Sequence, residues 1–515
     1  MTVISAAIGS ERRSRILGYA IGKGNFVEIS PNLPMRIAVL AEADAANQAS
    51  FSEGLSYEMT TAKQAGDKFG YGSPIHQIMR ILKPAFSAGV GGIPVVVYPQ
   101  AEVDDDTQTY SITVAGTATA NATHRLRING RYSLDGVFYE FAVATGDTAA
   151  EIATKIKDLI LSVLSCPFTA SIPVPVPGTV VNATAKWKGL TGAELNIEVD
   201  NQEVDAGMTY TVAVVTAGLG TPSISTALAN FGNEWNTIVI NSYGSEKFAE
   251  LEEFNGIPDP ENATGRYQGL IMKPFVALFG STLSNMDSII VITDASERKT
   301  QVTNAICPAP NSDGTSWEAA ANMTVLLARV SQDSPHLDVT GKSYPDMPTP
   351  KDGDIEDMSD YVNRDALVKK GSSTVTLENG KYVVQDFVTM YHPDGENPPF
   401  YNYVRLLMIH FNYKYGYRLR ELMYVIDHAI AESGQPTRVE KVVKPAQWIQ
   451  EISDYIDDLA QRALIVDTDF SKSSIAVSTD LENPDRLNTN FSLKTSPFMR
   501  IHSTTVKVGF AFGIE

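Results

Sequence analysis

Two kinds of hydrophobic patterning divide the chain. In the first, short runs are apolar at nearly every position: Arg36-Ile-Ala-Val-Leu40, Ile93-Pro-Val-Val-Val-Tyr98, Thr237-Ile-Val-Ile240 and Ser288-Ile-Ile-Val-Ile292. Runs with no polar face predict strands covered on both sides, as in a parallel sheet under helices. Helical spacing lies between them, at Ile75, Ile78, Met79 and Leu82 before a stop at Lys83-Pro84, and again over Phe248 to Phe254 and Trp317 to Val330. Strand, helix, strand with short connections predicts a βαβ-type layer and an α/β core.

In the second kind, from about Ala101 to Gly218-Leu-Gly220, apolar residues alternate: Tyr110, Ile112, Val114; Val137, Tyr139, Phe141, Val143; Leu195, Ile197, Val199; Tyr210, Val212, Val214. This predicts half-exposed, mostly antiparallel strands. One helix interrupts them, opened by a capping box at Thr148 and Glu151, with Ile152, Ile156, Leu159, Ile160 and Val163 on one face. The stretch reads as a β unit inserted between α/β halves.

Beyond the polar, Pro-rich stretch 342–356, Thr374 to Leu377 and Tyr382 to Val384 flank Glu378-Asn-Gly380, whose Asn-Gly suits a type I′ hairpin turn. Helices follow at about 399–426 and 446–464. The second carries Ile449, Ile452, Ile456 and Leu459 opposite Glu451, Asp454, Asp457 and Asp458. Both ends read as extended. Arg12, Arg13 and Arg15 precede Ile16-Leu17 and Phe26-Val27, broken by Gly18, Gly22 and Gly24, which predicts an N-terminal arm. Thr505 to Phe512 alternates, with Val506, Val508, Phe510 and Phe512 on one side. Such a strand must pair, either within its own domain or on a neighbour's sheet edge.

Composition narrows the function. With 515 residues the chain exceeds one core, and 43% apolar with 20% charged residues is ordinary for a globular protein. Net charge is −19, so a phosphate backbone is disfavoured as the main partner. Cys166 and Cys307 form no ligand cluster and read as small buried side chains in a reducing compartment. Met1 to Arg15 lacks the apolar core of a signal peptide and no run reaches eighteen apolar residues, so folding in a cytoplasm is expected.

Candidate chemistry is sparse. Gly18 to Gly24 resembles a phosphate loop, but is one residue short and has Gly24 where Ser or Thr should bind magnesium. His76, His124, His336, His392, His410, His428 and His502 form no HxH or HExxH pair; His410 sits on an apolar helix and reads as a core or interface residue. No GxSxG elbow occurs, and the acidic runs Asp104 to Asp106 and Asp457-Asp458 lack calcium-loop spacing. Arg405, Lys414, Arg418 and Arg420 are interleaved with Tyr403, Phe411, Tyr413, Tyr415 and Tyr417, which in an acidic chain reads as a protein-facing or core-facing aromatic helix. No catalytic, cofactor-binding or metal residues are expected.

Four stretches resemble one family, the Mu-like contractile tail sheath proteins of bacteriophages and related injection machines. They are Phe69-Gly-Tyr-Gly-Ser-Pro-Ile-His-Gln-Ile-Met79, the pair Gly146-Asp-Thr-Ala-Ala-Glu-Ile-Ala153 and Lys186-Trp-Lys-Gly-Leu-Thr-Gly-Ala-Glu-Leu-Asn196, Ala227-Leu-Ala-Asn-Phe-Gly-Asn-Glu-Trp235, and Glu482-Asn-Pro-Asp-Arg-Leu-Asn488. Each is weak alone; their order along residues 35 to 510 carries the likeness. Ala193-Glu194 departs from the family's Gly-Asn turn, and the stretch TNFSLKTSPFMRI after Leu487 departs from its apolar run.

The resemblance implies a structural subunit rather than an enzyme, stacked in hexameric rings around an inner tube and contracting to drive that tube through a cell envelope. Its fold would be an α/β core of mixed sheet and flanking helices from residues 31–100 and 219–345, an inserted outward-facing β-rich domain at 101–218, an inner α/β domain at 346–500, and arms at 1–30 and 501–515. The arms, through Ile16, Leu17, Phe26 and Val27 and through Val506, Val508, Phe510 and Phe512, would donate strands to neighbours, with the 374–384 hairpin as an acceptor. Arg405, Lys414, Arg418, Lys494 and Arg500 are candidate tube contacts. Implied partners are copies of itself, the inner tail tube protein, and baseplate and tail terminator proteins, with no nucleic acid and no membrane insertion. The implied location is the virion tail, assembled in the host bacterial cytoplasm. Another virion or baseplate component, or an α/β enzyme with a β insertion, are the alternatives.

Overall fold

The computed structural model describes residues 31–103, 105–174, 178–259, 261–396 and 399–508. The chain is mixed α/β with several sheets. The largest has six strands, in the order Asn304–Pro308, Val276–Ser281, Ile238–Asn241, Ile37–Glu42, Val95–Gln100, Tyr57–Met59. The first five are parallel and the short last strand runs antiparallel at the edge. Every residue of the five parallel strands is buried. That accounts for their unbroken apolar runs, since both faces are covered.

Alternate side chains of Ile37–Glu42 serve different layers. Ile37 and Val39 join the main core with Ile75, Ile78 and Trp317, while Ala38 and Leu40 join a second cluster with Tyr98, Phe231, Leu251 and Phe275. The helix Pro74–Leu82 starts where Ser73 accepts from the His76 backbone N–H at 3.2 Å, with Pro74 in the first turn. Ile37 pairs in parallel with Ile238 across two hundred residues of sequence, so the sheet unites strands from either side of the 109–216 region.

One expected strand is a helix. Ser288 to Ile292 lies in the helix Met286–Thr293, capped by Asn285, which accepts from Ser288 N–H at 3.2 Å. Only Ile289 and Thr293 are buried, four residues apart, and Val291 is 76% exposed. A five-residue apolar run has too short a period to tell strand from helix, and the cap decides. The sheet positions are taken by Val276–Ser281 and Asn304–Pro308, neither of which the pattern singles out.

Residues 109–216 build two larger antiparallel sheets and the small hairpin of Ser133–Leu134 with Val137–Phe138. One has the order Met208–Thr216, Thr109–Gly116, Val180–Ala185, Phe168–Ser171; the other is Ile197–Asp200, Ala122–Ile128, Glu140–Val143. The helix Ala149–Ser162 packs on them through Ile152, Ile156 and Ile160, with its Thr148–Glu151 capping box formed. Tyr139, Phe141 and Val143 are buried as the alternation requires, but Val137 lies in the two-residue strand Val137–Phe138, which pairs with Ser133–Leu134, and is 48% exposed.

In the C-terminal region, Thr374–Glu378 and Lys381–Asp386 form the expected hairpin, with Asn379 and Gly380 both at positive φ, 51° and 69°. Helices Val404–Tyr424 and Pro445–Gln461 share a core containing Ile409, Trp448, Ile452, Tyr455, Ile456 and Leu459. Two positions on the second helix differ from expectation. Ile449 is 37% exposed while Trp448 is buried, and Asp458, placed on the polar face by sequence, is 2% exposed. Arg462 lies 3.6 Å from Asp458 and supplies the counter-charge that lets a carboxylate occupy the inner face.

Candidate assembly surfaces

Two of the family-like stretches, 69–79 and 186–196, meet at one seat between the 109–216 unit and the central sheet. Lys186 Nζ donates to the carbonyls of Tyr71 and Leu164, both at 3.0 Å, and its own carbonyl accepts from Ala45 N–H at 2.9 Å. Trp187 is fully buried edge-on against Trp317, with ring centroids 6.4 Å apart. Its Nε1 donates to Thr191 Oγ1 at 2.9 Å, and that hydroxyl in turn donates to Glu42. Glu194 accepts from the Ser316 backbone N–H at 2.7 Å and from its hydroxyl at 2.8 Å, so a carboxyl from the β unit fills the N-terminus of the helix Ser316–Asp333. Ion pairs surround this seat: Arg131–Glu318 at 2.9 Å, Arg127–Asp313 at 2.5 Å and Arg80–Asp135 at 2.9 Å. The Phe69 to Ser73 turn approaches closely too, since a Cβ on Gly72 would lie 2.5 Å from the Cys166 carbonyl oxygen.

The second surface is the root of the C-terminal segment. Ser496 N–H donates to the Leu464 carbonyl at 2.9 Å, and Arg405 Nη1 donates to the Ser496 carbonyl at 3.0 Å. Arg500 then pairs with Asp338, whose side chain is 2% exposed, and with Asp386 at 3.1 Å, and lies 3.5 Å over the Tyr403 ring. Burial raises the Asp386 carboxyl, against the pull of the Arg500 charge. Past this clamp the side chains are open: Ile501 is 86%, Val506 72% and Val508 90% exposed. Among the described residues, 501–508 join no sheet. Phe510 and Phe512, like Ile16, Leu17, Phe26, Val27 and the Gly18 to Gly24 loop, lie outside the described residues.

The five candidate tube contacts separate. Arg405 is 5% exposed, bound to the His336 and Ser496 carbonyls and facing the Phe498 ring, so it is not a surface cation. Its place in an aromatic helix hid that, because the partners come from segments far away in sequence. Arg500 is likewise engaged by Asp338 and Asp386. Lys414 is half-buried and its ammonium is pushed down by burial. Arg418 pairs loosely with Glu421 at 3.2 Å, and Lys494 pairs with Asp467 over the Phe470 ring. Asp338, Asp386 and Glu194 were not signalled by any local pattern, though Glu194 stands at the motif's departure.

Remaining candidates for chemistry are structural in setting. Cys166 and Cys307 are free and buried, which pushes the Cys166 thiol up to about 11. His410 is stacked on Phe400 at 5.3 Å, and burial lowers it to about 4. Among the described residues, no three His, Cys, Asp or Glu side chains gather as metal ligands, and no helix is long and apolar enough to cross a membrane.

The C-terminal segment is thus anchored through Arg500, with Ile501, Val506 and Val508 exposed beyond it. By sequence, the chain is 25% identical over 446 residues to the Mu-like prophage FluMu tail sheath protein of Haemophilus influenzae, covering 84% of this chain and 85% of that one. No family model matches. Among solved structures it is similar to the sheath tail protein of Desulfitobacterium hafniense (11% identity, 93% of this chain and 100% of that one, TM-score 0.43). It is also similar to the sheath tail protein of Listeria innocua (10% identity, 91% and 93%, TM-score 0.42). At those TM-scores the structural likeness carries no weight of its own. The sequence match bears out the resemblance to the Mu-like contractile tail sheath proteins read from the motifs.

Proposed function

We propose that the chain is the sheath subunit of a contractile tail. It polymerises as stacked hexameric rings around an inner tube and contracts to drive the tube through a target envelope. The observation that carries this reading is the match to a tail sheath protein over most of both chains. The exposed apolar residues beyond Arg500 support it, because Val506 and Val508 join no strand among the described residues and suit strand addition to a neighbour. In this reading 1–30 and 501–515 are the arms, the 374–384 hairpin receives a strand, and residues 101–218 face outward from a core made of 31–100 and 219–345. The inner domain, 346–500, turns Lys414, Arg418 and Lys494 toward the tube. Work comes from two packings of one subunit, with the extended state higher in energy, and no covalent step is required. Baseplate, terminator and tube proteins are its partners, and the virion tail its location.

Negative-stain microscopy of the purified chain tests this. Striated tubes are expected. Isolated rings that never elongate would point to a baseplate component, and dispersed particles under all assembly conditions would reject the subunit reading.

A further inference from the structure

The carboxyl ends of the parallel strands meet the 186–194 segment at the point where strand order reverses, between Ile37–Glu42 and Ile238–Asn241. In open α/β sheets this crevice, beside a helix N-terminus, is where ligands bind. Here the chain fills it with its own acids. Glu194 occupies the first turn of Ser316–Asp333, and Glu42, the last residue of its strand, is fully buried. One Glu42 oxygen accepts from Thr191, and the other, Oε1, is buried without a hydrogen-bond partner among the described residues. The Ser242 hydroxyl and the Tyr243 phenol beside it are also buried and unpartnered.

We propose that Glu42 makes this seat a proton-sensitive latch, holding the 109–216 unit tightest while Glu42 carries its proton and slackening as the pH rises. An uncharged carboxyl suits the surroundings. Among the described residues, the groups facing Glu42 are the carboxyls of Glu102 and Glu194 and, from the segment after Ile238–Asn241, the Tyr243 phenol, which itself faces Glu53. Lys188, on the latch segment, gives its backbone N–H to Glu102 at 3.0 Å. Burial first, then the neighbouring carboxylates, push Glu42 up to about 8, against the Thr191 hydrogen bond.

The sign follows from linkage. The closed seat keeps its proton up to about pH 8, while an opened seat returns Glu42 to an ordinary carboxyl. Opening therefore grows about tenfold per pH unit from pH 5 to 8 and levels off above that. Glu194 shares the burial and is also raised, but both its oxygens are already bonded to Ser316.

The test uses the unassembled full chain, so its outcome is independent of whether the chain forms a sheath. Infrared spectra of the wild type should show a protonated carboxyl band at pH 6.5 that disappears with a midpoint near 8. Chymotryptic cleavage at Leu219, in the return connection, is compared at each pH with that of Glu42→Gln. The wild-type to variant ratio should climb about tenfold per pH unit between pH 5 and 8. A wild-type spectrum without a protonated band at pH 6.5 overturns the proposal without need of a variant. So does a Glu42→Gln cleavage profile that rises in parallel with the wild type.

Discussion

Replacing Arg500 by Met keeps the bulk of the side chain and removes the charge that pins the C-terminal segment. Asp338 keeps only 2% of its side-chain surface exposed, and Asp386 keeps 32%. Removing one partner of a buried ion pair costs about 3–5 kcal/mol when the other charge is left stranded. The lower end applies here, because the segment after Ser496 can lift away and let water reach Asp338. The stack on Tyr403 at 3.5 Å is lost as well, though Met retains part of its packing. A cost of about 3 kcal/mol raises the population of the detached root a little over a hundredfold. Hydrogen exchange reads this at the Ser496 amide, which is bonded to Leu464 in the docked state. Its protection should fall by roughly that factor while amides of the central sheet are unchanged, and Arg418→Met should leave both untouched. A change of less than about threefold at Ser496 would show that Arg500 is not the anchor, and the account of the arm root would fail with it.

Three further outcomes are expected. Trp187→Ala removes the buried ring that meets Trp317 and should lower the urea stability of the transition involving the 109–216 unit by about 3–5 kcal/mol; a loss under 1 kcal/mol would contradict the seat. Deleting Thr504 to Glu515 should leave a soluble, folded monomer by circular dichroism and sedimentation that forms no tubes in micrographs; normal tubes would refute strand donation by that end. Reversing Lys414, Arg418 and Lys494 to Glu should weaken co-sedimentation with the inner tube most at low salt, whereas unchanged binding rejects those contacts.

Local order was legible where one segment settles its own structure. Thr148 and Glu151 form their capping box, Asn379-Gly380 makes its turn, and the runs at Ile37, Val95 and Ile238 are the buried strands they announce. The apolar and polar periods are physical properties of short stretches, so they survive without knowledge of neighbours. The family likeness was legible for a related reason, being carried by the order of short motifs.

Only the tertiary structure could decide the rest. Ser288 to Ile292 is a helix because Asn285 caps it and because Val276–Ser281 and Asn304–Pro308 already fill the sheet. Arg405 is buried because Ser496 and His336 return to it from elsewhere. Glu194 finds the Ser316 helix end, and Arg500 finds Asp338 and Asp386, across more than a hundred residues of chain. Periodicity reports which side of an element is apolar, but the partner of a charge is a long-range contact, set only once the elements have packed.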